Sequence, residues 1–150
     1  MRSVMKAVVA VAAAALAVGC GASADGPPHI EVDRTSCSHC SMLISEPRYA
    51  AAYQPAQGDA RVFDDVGCLL DAARQEAGAP RRFWFNDAAD GTWINGPDAT
   101  FVLAADIRTP MSGGVVAYRT RAAADEAASR HRGEVVVSIA DLLKRTEGGS

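Results

Sequence analysis

One succession of apolar runs occurs twice in this chain, offset by about 55 residues, and few folds accommodate such a pair. In the first copy, short strand-like runs at 49–53 and 61–63 precede an amphipathic stretch at 65–76 and a third strand at 82–86. The stretch is predicted helical because Val66, Leu69, Leu70, Ala73 and Ala77 fall at i, i+3, i+4, i+7 and i+11, a single helix face. Asp64 or Asp65 can cap it, since a carboxylate there accepts the unpaired N–H groups of the first turn. Gly78 and Pro80 end it. The second copy sets strands at 100–104, 115–118 and 135–139 around a helix at 121–131, capped by Thr120 and closed by Gly133. Ala124, Ala127, Ala128 and His131 form its inner face. An aromatic, Phe63 or Tyr118, stands just before the helix cap in each copy, and Thr92-Trp93-Ile94 starts a short connecting strand between them. The expected fold is α+β, with two similar ββαβ repeats over about 48–86 and 100–139 packed into one body. A single unrepeated α+β domain is the alternative.

The N-terminus reads as an export signal. Arg2 and Lys6 supply a basic start, residues 7–18 are unbroken apolar, and Gly19-Cys20 ends the run with small residues. Roughly 12 apolar residues are too few to span a bilayer. Leu16-Ala17-Val18-Gly19-Cys20 is similar to a bacterial lipobox, in which the cysteine becomes the lipidated first residue. Acyl chains on Cys20 would give lasting membrane attachment, on the extracytoplasmic side. Soluble secretion after cleavage near Ala24 is the alternative. Residues 1–19 are thus expected to be a signal peptide and 20–28 a tether rich in small residues and proline. The folded domain is expected over 29–143 and a polar, disordered tail over 144–150.

Loss of residues 1–19 leaves 13 of the 15 basic side chains against 18 acidic ones, a net charge of −5. No basic cluster remains to follow a nucleic-acid backbone, which excludes that class of partner. Setting Cys20 aside, Cys37, Cys40 and Cys68 remain, and an odd thiol count in an exported chain argues for a functional thiol.

Ser36-Cys37-Ser38-His39-Cys40-Ser41-Met42 gathers two thiols, an imidazole and a thioether. Such soft donors favour Cu(I) over Mg or Ca. A c-type haem attachment needs His directly after the second Cys, where Ser41 stands. A structural zinc site wants a second ligand pair at matched spacing, whereas Cys68 stands alone and is expected to pack as a small apolar residue. A thioredoxin-like pair should open a long helix, and no helical pattern follows Cys40. A Cys37–Cys40 disulfide remains open, as does burial of Met42 beside Leu43-Ile44. Met111 lies in Thr109-Pro110-Met111-Ser112-Gly113-Gly114, a turn where core packing does not require it, so it is either a further sulfur donor or a hydrophobic lid.

Four segments carry a family resemblance. Cys40-Ser41-Met42 is similar to Cys-Gly-Met, and Phe63-Asp64-Asp65-Val66-Gly67-Cys68-Leu69 to a Phe-Asp-Asp-x-Gly-Cys helix start. Trp93-Ile94-Asn95 and Thr109-Pro110-Met111 match a Trp-Ile-Asp strand and a Thr-Pro-Met loop. Together, over about residues 34–143, the chain resembles the NosL family of accessory lipoproteins. The resemblance implies a fold of two ββαβ repeats and a non-enzymatic chaperone that supplies Cu(I) to nitrous oxide reductase. It carries the metal role most firmly to Cys40, Met42 and Met111, with Cys37 and His39 as alternates. The competing function is a membrane-tethered thiol–disulfide oxidoreductase using Cys37 and Cys40.

Overall fold

The computed structural model describes residues 26–147; the expected signal peptide, Cys20 and most of the tether lie outside them. Two small antiparallel sheets carry the architecture. The first joins β1 (Ala51–Gln54), β2 (Arg61–Phe63), β3 (Arg82–Asn86) and β4 (Trp93–Asn95) in the order β2-β1-β3-β4. The second joins β5 (Thr100–Leu103), β6 (Val115–Tyr118) and β7 (Glu134–Val136) in the order β6-β5-β7. Helix α1 (Val66–Gln75) lies between β2 and β3 in sequence, and α2 (Arg121–His131) between β6 and β7. In both halves the first strand is central, with the second and third on its flanks.

Side chains alternate along each strand, and the second sheet shows what that does. Phe101, Val115, Ala117 and Val136 enter a core shared with the first sheet, while Val102 and Val116 point the other way, under α2. Ala124, Ala127 and Ala128 let α2 approach that face closely. The shared core takes Tyr53, Phe63, Phe85 and Ile94 from the first sheet and Val66, Leu69 and Leu70 from α1. Phe85 meets Phe101 edge to face at 4.8 Å, one ring from each sheet. Buried Asp87 links the sheets again: its Oδ2 accepts from the Arg119 N–H at 3.1 Å, while the Ala88 N–H donates to Ala117 O at 2.9 Å.

The C-terminal end differs from expectation. Strand β7 stops at Val136, and Ile139, expected to end that strand, begins α3 (Ile139–Glu147). The Ser138 hydroxyl accepts from the Asp141 N–H at 3.1 Å and donates to its carboxylate at 2.8 Å, which starts the helix. Leu142 is fully buried in the shared core. Helix α3 therefore runs into the segment read as a polar tail. At the end of α2 the left-handed residue is Arg132, at φ 48°, and not Gly133.

Candidate metal centre

Cys37 and Cys40 sit on a tight turn ahead of the first sheet. The Cys37 N–H donates to Met42 O at 2.8 Å, and the Ser41 N–H donates to Cys37 O at 3.0 Å. Ser38 fixes the turn to β2, donating its N–H to Val62 O at 2.8 Å and accepting from the Val62 N–H at 3.3 Å. Ser41 is left-handed at φ 65°, a conformation that suits glycine better than serine.

Strand β2 then leads straight into Asp64, Asp65 and α1. Asp65 is the cap: its Oδ1 accepts from the Cys68 N–H at 2.9 Å. Asp64 is thereby left to point elsewhere, and Cys68, in the first turn of α1, is held beside it. The outcome is a cluster in which the three sulfurs of Cys37, Cys40 and Cys68 and a carboxylate oxygen of Asp64 all lie within 4.8 Å of one another. Cys68 was expected to be an inert core residue; it is buried, but among donors. The sequence separates it from Cys40 by two strands and a cap, so spacing alone gives no metal signal.

The electrostatics of the cluster are unusual for a buried site. Asp64 is 2% exposed; its Oδ2 accepts from the Cys40 thiol at 3.7 Å, and its buried Oδ1 has no hydrogen-bond partner. Leaving a carboxylate oxygen dry and unpaired is costly unless a cation or proton comes to it. Burial pushes the Cys37 thiol up, with backbone hydrogen bonds from Cys40, His39 and Asp64 opposing. Burial likewise pushes Cys68 up, reinforced by the neighbouring Cys37 and Asp64. All three described cysteines are free thiols. Cys40 alone is partly exposed, so it forms the mouth of the cluster.

The loop carrying Met111 reaches this region from the second sheet. Asp65 Oδ2 accepts from the Thr109 hydroxyl at 2.7 Å and from the Met111 N–H at 3.0 Å. Gly67 and Gly113 pack backbone against backbone, since a Cβ built on Gly67 would lie 3.3 Å from Gly113 Cα. The Met111 and Met42 side chains are exposed. His39 is also exposed and stands outside the four-donor cluster.

The sequence model of the NosL family matches residues 29–145. The chain belongs to the NosL family. The structure is also similar to the crystal structure of the copper chaperone NosL from Shewanella denitrificans, with a TM-score of 0.63 at 15% identity. That match covers 74% of this chain and 91% of the other, and it shows a common fold. No curated protein matches the chain. No helix among the described residues is long and apolar enough to cross a membrane.

Proposed function

We propose that this NosL-family chain is a non-enzymatic, extracytoplasmic chaperone that carries one Cu(I), anchored to a membrane through lipidated Cys20. The observation that carries the reading is the cluster itself: three thiols and a carboxylate oxygen within 4.8 Å, with one buried carboxylate oxygen unpartnered. Thiolates suit Cu(I), which needs few ligands. Cys40 is the entry ligand because its thiol is reachable; Cys37 and Cys68 stand behind it. Met42, whose carbonyl accepts from the Cys37 N–H, and Met111, whose N–H donates to Asp65, are exposed and would offer thioethers where a receiving protein's ligands meet the metal. His39 is kept as an exchange ligand only.

Transfer follows from this layering. An incoming ligand attacks the metal at the open side while the buried thiolates still hold it, so the ion never enters water. A copper-receiving enzyme is the partner, and the family resemblance points to nitrous oxide reductase. The redox alternative has less support. A reactive dithiol sits in an electropositive setting that favours the thiolate, whereas here the Asp64 carboxylate stands beside the reachable Cys40 thiol.

The test is competition for Cu(I) with a chromophoric chelator. Cys40→Ser should nearly abolish binding, while Cys68→Ser and Met111→Ala should each weaken it. Each buried thiol gives up a proton on binding, so affinity should rise with pH by about tenfold per unit for each such thiol. Equal affinity in Cys40→Ser and wild type would leave the redox pair as the better account. For the anchor, Cys20→Ala should release the protein from membranes, and a mature N-terminus beyond Cys20 would refute lipidation.

A further inference from the structure

A second set of polar groups converges well apart in sequence from the thiols. A cavity of ≈ 540 Å³ beside Pro47 adjoins another of ≈ 510 Å³, the two sharing Glu46 and Arg48. Into the larger group of side chains come cations from three elements: Arg48 from the short 3-10 turn Pro47–Tyr49, Arg108 from the β5–β6 loop, and Arg130 with His131 from the end of α2. Tyr49 and Tyr118 add phenols, over an apolar floor that includes Ile107. Three carboxylates line the two cavities: Glu46, Asp90 and Asp106. Glu46 lies 3.8 Å from Arg48, and Asp106 lies 3.2 Å from His131. Among the described residues Arg130 pairs only with Glu126, one turn back on its own exposed helix face, a pairing worth little and easily exchanged. Arg108 has no hydrogen bond or ion pair among the described residues. The Arg48 guanidinium stacks on the Tyr49 ring at 4.7 Å, which holds it in position.

We propose that this pocket binds a phosphate group, free or as a phospholipid headgroup, through Arg48, Arg108 and Arg130 with the phenols of Tyr49 and Tyr118. Donors arriving from three elements suit a tetrahedral oxyanion, whose oxygens point in several directions, better than a planar carboxylate, which one guanidinium fork satisfies. The cavity is of the size that small-molecule sites have. The headgroup source follows from the tether. The cleft lined by Pro27, Pro28, His29 and Ile30 shares Pro47 with the cavity that contains Arg48. Pro27 stands seven positions after Cys20, at most about 25 Å of extended chain. On the lipidation reading, this face can therefore reach the membrane surface to which Cys20 is attached.

Two arms test the site and its source. In the first, inorganic phosphate is titrated calorimetrically into the full chain. Saturable binding is expected, about tenfold weaker in Arg108→Ala and partly restored in Arg108→Lys, which keeps the charge but not the fork. Arg108 is exposed and unpartnered, so the substitution leaves the fold intact. In the second, Cys20→Ala chains with and without Arg108→Ala are sedimented with phosphatidylglycerol or phosphatidylcholine vesicles, so that residues 1–25 contribute equally to both. Weaker phosphate binding in the variant with unchanged vesicle binding assigns a free phosphate; loss of vesicle binding assigns the headgroup. Absence of binding in both arms, or identical binding by Arg108→Ala and its parent in both, overturns the proposal.

Discussion

Asp65 satisfies three donors with two oxygens: the Cys68 N–H on the helix it caps, and the Thr109 hydroxyl and Met111 N–H on a loop from the other sheet. One carboxylate thus fixes Cys68 and the backbone of Met111 in a common frame. Asp65→Ala should cost roughly 3 kcal/mol, the cap plus two donors left in a largely buried place. Amide exchange at Met111 should rise with it, and unchanged protection there would show that the loop is held by other contacts. A helix-start rule finds an acidic cap here but cannot choose between Asp64 and Asp65, because the choice depends on donors 44 and 46 residues away. Cys68 was hidden for the same reason: its role depends on the turn at Cys37 folding back, and no local pattern reports that. Tyr53 makes a pH prediction at this scale. Burial, and then Glu76, which accepts its hydroxyl at 2.7 Å, push the phenol up to about 12. Its folded pKa exceeds its unfolded value near 10, so the stability it contributes is complete below about pH 10 and is lost as pH rises towards 12. Denaturant midpoints measured from pH 8 to 11 should fall only at the upper end in wild type, and less in Tyr53→Phe.

Elements with strong local signals were legible. The apolar stripe of α1 and the Thr120 cap of α2 each specify a helix without help from elsewhere, and the structure has both. Helix α3 was missed although Ser138-Ile139-Ala140-Asp141 carries the Ser-x-x-acid signature of a helix start, because Val135, Val136 and Val137 before it extend the look of a strand. The end of α2 shows how a glycine can mislead. Arg132 takes the left-handed cap, while Gly133 is needed for space: a Cβ there would lie 2.8 Å from Leu103 O and 3.0 Å from Val102 Cγ1. Two substitutions one residue apart should therefore act in opposite directions. Arg132→Gly relieves a strained conformation at an exposed side chain and should stabilise by about 0.5–1 kcal/mol. Gly133→Ala forces β5 to move and should destabilise by about 1–3 kcal/mol. Urea midpoints at constant slope would measure both, and destabilisation by Arg132→Gly would mean that the arginine side chain contributes more than the backbone strain costs.

At the scale of the molecule, two half-sized units could fold separately or as one, and the contacts favour one. Inward-facing residues of both sheets, Tyr53, Phe63, Phe85 and Ile94 from the first and Phe101, Val115, Ala117 and Val136 from the second, lie in a single cluster, α1 packs on β6 as well as on β1 and β2, and Leu142 of α3 closes the same core. Each half is also too small to bury a sufficient core by itself. The chain's two tryptophans, Trp84 and Trp93, both belong to the first sheet, on β3 and β4, so fluorescence reports on that half directly. Phe101 belongs to the second sheet and is fully buried against Phe85. If the halves unfold together, Phe101→Ala should lower the tryptophan-reported stability by its full cavity cost, about 3–5 kcal/mol. It should lower the stability reported by amide exchange in β5–β7 by the same amount. A fluorescence midpoint that stays in place while exchange in the second sheet accelerates would mean two independent units. The Asp65 contacts to Thr109 and Met111 would then join separate domains, and the thiol cluster would keep its shape whether or not the Met111 loop were docked.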